Sequence, residues 1–90
     1  MLTPAERKAL KAKAHKLDPV VHVGAKGLTD EVIAEIDRAL QAHELIKVRA
    51  ATLDRNAREQ AFDLIVEKTR AQGVQHIGKV FVLFRKKNDE

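Results

Sequence analysis

Val20-Val21-His22-Val23-Gly24-Ala25-Lys26-Gly27-Leu28-Thr29-Asp30-Glu31 is the stretch that decides the fold. Its first four residues are β-branched apart from His22, the composition of a short strand, and the run stops at Gly24. Gly24-Ala25-Lys26-Gly27 is a tight loop. Thr29 and the two acids after it then open a helix, the hydroxyl taking an orphan N–H and the carboxylates meeting the positive end of the helix dipole. Val32, Ile36, Ala39 and Leu40 recur at helical spacing, with Ile33 widening the stripe. From Leu45 to Ala50 the period changes to two, with Ile46, Val48 and Ala50 on one face and Leu45, Lys47 and Arg49 on the other. A strand, a helix and a second strand in this order form a right-handed crossover that lays two parallel strands in one sheet.

Upstream, Thr3-Pro4-Ala5-Glu6 is a helix start with a capping threonine, a proline at the first helical position and a glutamate placed to reach back. That helix runs to about Lys16 and is stopped by Asp18-Pro19. Leu10, Ala14 and Leu17 form its apolar stripe, and Arg7, Lys8, Lys11 and His15 share the neighbouring arc. Downstream, Asp54 or Asn56 can cap a third helix whose buried stripe is Ala57, Ala61, Leu64 and Ile65, flanked by Phe62 and Val66. Gly73 is expected to end it in the left-handed position. Val74 to Phe84 holds two strand-like runs around Gly78-Lys79, a hairpin with glycine at positive φ. The order is α-β-α-β-α-β-β, an α/β sandwich on a four-stranded mixed sheet. Val80 to Phe84 is apolar on both faces, so this strand is central or helix one covers the second face.

Ninety residues bury about two-thirds of their unfolded surface, enough for one domain, expected over residues 1–86 with a frayed end at 87–90. A hydrophobic share of 44% supports a packed interior, and the absence of cysteine removes disulfide scaffolds, zinc ribbons and thiol enzymes. No apolar run is long enough to span a bilayer and no signal peptide is visible, so a cytoplasmic location without membrane contact is expected. The net charge of +4 is concentrated at the ends. Residues 1–16 hold five bases against Glu6, residues 79–90 hold Lys79, Arg85, Lys86 and Lys87 against two acids, and the segment between is slightly acidic. This asymmetry points to a polyanion met by the terminal segments.

The loop Gly24 to Gly27 adds to that expectation. Two glycines let backbone approach a ligand, successive N–H groups near an uncapped helix start favour anions, and Lys26 supplies mobile positive charge. It lacks the pattern of dinucleotide or triphosphate loops, and taken alone it fits an ordinary tight turn better than a phosphate cradle.

Val21-His22-Val23-Gly24-Ala25-Lys26-Gly27-Leu28-Thr29, then His43-Glu44-Leu45-Ile46-Lys47-Val48, then Ile77-Gly78-Lys79-Val80-Phe81-Val82-Leu83-Phe84-Arg85 together resemble the CRM domain, the chloroplast RNA splicing and ribosome maturation module. The chain is more closely similar to the bacterial stand-alone, YhbY-like members, and the likeness runs from about Leu2 to Arg85. The resemblance implies a fold like the C-terminal domain of translation initiation factor three, RNA binding without catalysis, and association with precursors of the large ribosomal subunit. It implies that the glycine-flanked RNA-contacting loop is Gly24, Ala25, Lys26 and Gly27, that Lys47 and Arg49 are the basic strand-two positions, and that Gly78, Lys79 and Arg85 belong to the closing motif. Phe84 stands where the family commonly has tyrosine, and Ala25 where glycine, lysine or asparagine is frequent.

With no Trp or Tyr and only Phe62, Phe81 and Phe84, all at apolar positions, the chain cannot build an exposed stacking platform. It is expected to read backbone and shape through phosphate contacts, with Arg7, Lys8 and Lys11 of the first helix joining the loop and strand two. His15, His22, His43 and His76 have no metal-ligand spacing and are expected at the surface or an edge. Serine is absent, and Thr52 and Thr69 have no evident base. Glu35 with Arg38 and Glu67 with Arg70 are expected to make weak surface pairs. The expected partner is ribosomal RNA or its precursors, met by a monomer without metal, cofactor or small-molecule substrate. A basic DNA-binding or nucleoid-type domain and a protein-interaction module are the competing readings.

Overall fold

The computed structural model describes residues 2–87. Its elements are α1 (Pro4–Ala14), β1 (Val21–His22), α2 (Asp30–His43), β2 (Leu45–Arg49), α3 (Arg55–Thr69), β3 (Gln72–Ile77) and β4 (Val80–Phe84). The three helix starts obey the local chemistry. Thr3 Oγ1 accepts from the Glu6 N–H at 3.1 Å while Glu6 Oε1 accepts from the Thr3 N–H at 3.0 Å. Hydrogen bonding from Thr3 to the carboxyl, from its backbone N–H first and from its side chain second, holds the Glu6 carboxyl below its ordinary pKa. Thr29 caps α2 and Asp54, not Asn56, caps α3.

The strands lie in the order β1-β2-β4-β3, with β1 parallel to β2 and the other pairs antiparallel. β4 is therefore interior, and α1 also covers part of its second face, which explains a strand apolar on both sides. β1 is only two residues long. The backbone contact continues on either side, since Val20 N–H donates to the Lys47 carbonyl and Val23 N–H to that of Arg49. The apolar interior divides between the two sheet faces. Under α2 and α3 lie Ile36, Leu40, Ile46, Val48, Ile65 and Phe81, and under α1 lie Ala14, Val74 and Val82. No helix among the described residues is long and apolar enough to cross a membrane.

Two expectations about the third helix and the strand after it are corrected. Leu64 is 38% exposed, and the buried line is Ala61, Ile65 and Thr69. Thr69 can be buried because its hydroxyl donates to the Ile65 carbonyl at 2.7 Å, which leaves no unsatisfied donor. The helix ends at Arg70, itself in the left-handed region at φ 60°, and not at Gly73. Gly73 lies within β3 and is required there by packing: a Cβ would run into the ring of Phe62. Phe62 stacks on His76 with centroids 5.4 Å apart and tilts against Phe81 at 5.3 Å, so His76, on the edge strand β3 as expected of an edge residue, is also half-buried by packing.

Between Gly73 and Gln75 the ladder slips by one residue, a β-bulge that turns Val74 under α1. Arg7 Nη1 donates to the carbonyls of both Gly73 and Val74, fastening the first helix to the outer strand. Of the end expected to fray from residue 87, residues 88–90 lie outside the described residues, while the Lys87 N–H donates to Glu44 Oε2 at 2.7 Å.

Candidate nucleic-acid interface

α1 covers the lower and middle part of its sheet face, floored by Leu45, Phe84, Val74 and Val82. Beyond it, toward the end where β1 and β2 finish, the sheet is open. Alternation along β2 sends Lys47 and Arg49 to this open face, while Ile46 and Val48 are buried beneath α2 and α3. Arg49 stands opposite His22 of β1, and both are exposed. On the α1 side, Lys11 and His15 form one wall of a groove whose floor includes Lys47, Val80 and Val82. Lys8, one turn before Lys11, lies on the same flank of the helix and is exposed. No carboxylate among the described residues lines this groove.

The Gly24–Gly27 loop stands at the upper end of the sheet, beyond the finish of the parallel pair, where open α/β sheets commonly hold ligands. Two other segments meet it there. Thr52 Oγ1 donates to the Val23 carbonyl at 3.0 Å, and the Ala50 N–H donates to the carbonyl of Lys79 in the β3–β4 hairpin at 2.7 Å. Lys26, Lys79 and Arg49 therefore belong to one end of the molecule. Gly27 N–H closes the turn onto the Gly24 carbonyl at 3.0 Å, and Gly27 has φ 74°. Its partner differs: Gly24 is outside the left-handed region, and a Cβ there would meet nothing within 4 Å. Gly27 is needed to make the turn, whereas the fold places no demand for glycine at Gly24. Ala25 and Lys26 are exposed, and their N–H groups have no partner among the described residues.

The helix beneath the loop is not uncapped. Thr29 Oγ1 accepts from the Val32 N–H at 3.2 Å, and Asp30 and Glu31 occupy the first turn, so its dipole already meets negative charge. Attraction for an anion at this loop rests on Lys26 and the free turn N–H groups instead.

The C-terminal bases do not form one patch. Lys79 precedes β4 and Arg85 comes after it, which separates them by roughly 20 Å of extended chain. Arg85 turns toward the helices: Nη1 reaches Asp37 Oδ1 at 2.6 Å and the Thr69 carbonyl at 2.8 Å, and Nη2 reaches the Asp37 carbonyl at 3.1 Å. Its guanidinium is occupied by the fold, as one guanidinium nitrogen of Arg7 is. The ion pairs among the described residues are Arg85–Asp37 and Arg55–Glu59, in place of the expected Glu35–Arg38 and Glu67–Arg70. Lys8, Lys11, Lys26, Lys47, Arg49 and Lys79 take part in neither. No three His, Cys, Asp or Glu side chains among the described residues converge as metal ligands would.

Sequence reasoning missed the residues that border the basic lane, His22 on one side and Val80, Gln75 and Ile77 on the other. Their neighbourhood depends on strand order, which no local pattern reveals.

Comparison with known proteins gives the family and the fold. The model of the CRS1/YhbY (CRM) domain matches residues 2–85. An RNA-binding protein of Haemophilus influenzae is 46% identical over 84 residues, covering 93% of this chain and 85% of its own length. A probable RNA-binding protein of Pseudomonas aeruginosa is 42% identical over 85 residues, covering 94% and 82%. The solution structure of a candidate RNA-binding protein of Staphylococcus aureus superposes with a TM-score of 0.85 at 31% identity, covering 99% of this chain and 93% of that one.

Proposed function

The chain belongs to the CRS1/YhbY (CRM) domain family, and from that premise we propose that it is a non-enzymatic RNA-binding protein of the cytoplasm that contacts structured ribosomal RNA during assembly of the large ribosomal subunit. The observation that carries the reading is the lane of Lys47 and Arg49 on an interior strand, with Lys11 facing Lys47 across a groove that no carboxylate among the described residues lines. A strand held from both sides has its backbone already ordered, so only the side chains lose freedom when they meet a phosphate, and no ion-pair partner among the described residues competes for them. Lys8, Lys26 and Lys79 extend the same surface around the upper end of the sheet, and Gly24, free of any conformational duty, lets RNA backbone come against the turn. Arg85 and the anchored side of Arg7 support the fold behind this surface. The relatives' names, which speak of RNA binding, point the same way.

Crosslinking in cells followed by sequencing of the bound nucleic acid tests the assignment. Recovery of large-subunit ribosomal RNA precursors is expected; scattered chromosomal DNA, or no nucleic acid, overturns it. In vitro, changing Ala25 and Lys26 together to Asp is expected to weaken binding of structured RNA at least about tenfold without moving the thermal midpoint. Arg38→Ala, on the exposed side of α2, serves as the neutral control.

A further inference from the structure

The open face beside α1 is basic along one lane only. Ladder register sets its residues in two rows across three strands, Lys47–Val82–Gln75 and Arg49–Val80–Ile77. Charge is confined to β2; in the β4 lane Val82 is buried against α1 and Val80 is left half-buried, and the β3 lane offers a neutral amide and an isoleucine. Ile77 is 60% exposed, the most exposed of the large hydrophobic residues among those described, and it borders the groove walled by Lys11 and His15. Phosphate binding accounts for the β2 lane. It does not account for an aliphatic lane laid beside it.

We propose that this groove seats an unpaired RNA base, with the phosphates along Lys47 and Arg49 and the base turned across the sheet onto Val80 and Ile77, its edge toward the Gln75 amide. The proposal rests on RNA binding at this face and names the RNA feature it prefers. A nucleotide joins an anionic backbone to a flat, weakly hydrated ring, and the face presents a cationic lane next to an apolar one in the same arrangement. A regular duplex turns its bases inward and offers only the first. Aliphatic side chains hold a base by displacing water and by dispersion, without an aromatic ring. An amide both donates and accepts at a base edge. Extruding a paired base costs unstacking energy that an unpaired one does not, so RNA with a bulged nucleotide is the favoured ligand.

The test is fluorescence anisotropy with the full chain and two RNA hairpins closed by the same non-nucleotide linker and matched to within one phosphate, one fully paired and one carrying a single bulged nucleotide. The parent is expected to bind the bulged RNA about fivefold more tightly. Ile77→Ser, a neutral change at an exposed position, is expected to reduce the preference to less than about twofold. It should leave the affinity for paired RNA unchanged and the thermal midpoint within about 3 °C. Lys47→Ala is expected to weaken both RNAs by the same factor. Equal, salt-sensitive binding of both hairpins by the parent overturns the base seat and leaves RNA binding by the face standing, whereas binding of neither overturns both. A preference that survives Ile77→Ser means that the isoleucine serves another occupant, and it overturns the proposal too.

Discussion

Gly73→Ala is a strong test of how the sheet and α3 are fitted together. A Cβ built at Gly73 stands 2.8 Å from Phe62 Cε2 and closer still to Cζ. Carbon atoms in contact are ordinarily about 3.5–4.0 Å apart, so ring and strand must separate by about 1 Å. Neither moves freely. The ring is backed by Phe81 and His76, and β3 is held by the bonds from Arg7 to the Gly73 and Val74 carbonyls. Overpacking of this kind costs about 1–3 kcal/mol, against which the loss of glycine's freedom in the unfolded chain returns up to about 1 kcal/mol. The net destabilisation should be about 1–2 kcal/mol, a fall in thermal midpoint of about 4–16 °C for a domain of this size. Thermal and urea unfolding monitored by circular dichroism measure it. Phe62→Leu removes the far end of the ring, so the double variant should lose at least about 1 kcal/mol less than the sum of the two single changes. An unchanged midpoint in Gly73→Ala, or strict additivity, would refute the packing account of this glycine.

Gly27→Ala should cost about 1–2 kcal/mol because the turn holds φ at 74°, whereas Gly24→Ala should leave stability intact or slightly raised and lower RNA affinity; unfolding midpoints and RNA titrations of the two variants separate these outcomes. Arg85→Ala removes the tie to Asp37 and Thr69 and should lower stability by about 1–2 kcal/mol with RNA affinity unchanged, while Lys47→Ala should do the reverse in the same pair of assays. If about four phosphates of a duplex-like site are neutralised, the slope of log affinity against log salt should lie near minus 3.6, and a slope near zero would exclude electrostatic binding. Because Thr3 lowers the Glu6 pKa, the contribution of Glu6 to α1 is complete above the unfolded carboxylate value and is lost as pH falls through the lower folded one. The midpoint difference between the parent and Glu6→Gln should therefore shrink from neutral pH toward about pH 3.

The features legible in the sequence are the local ones. Thr3, Thr29 and Asp54 announce their helices because a cap and its N–H lie three residues apart, and β4 shows itself interior because both of its faces are apolar. Pattern alone misplaces Leu64 and Thr69, because a hydrophobic count treats threonine as polar although its hydroxyl is satisfied by the preceding turn. Gly73 reads as a helix end because the glycine signal is the same for a left-handed residue and for a close approach; only the position of Phe62 distinguishes them. Among the site residues, Lys47 and Arg49 are legible from alternation along one strand. Arg85 is not separable from them by sequence, since its partner Asp37 is 48 positions away and composition says nothing about which cation is already engaged.

The bonds from Arg7 to the β3 bulge carry a consequence in time. Sixty-six residues separate Arg7 from Gly73, and the floor beneath α1 is assembled from β2, β3 and β4, all of which leave the ribosome after the helix does. At about 5–20 residues per second, the first helix waits roughly 3–13 s for its anchor. During that interval its capping box can maintain the first turn, but Leu10 and Ala14 have no surface to pack on. α1, made before the strands it packs on, is thus among the last elements to be fastened, and a nascent chain stalled before β4 would carry an undocked, lysine-rich amphipathic helix beside the machine that is making it.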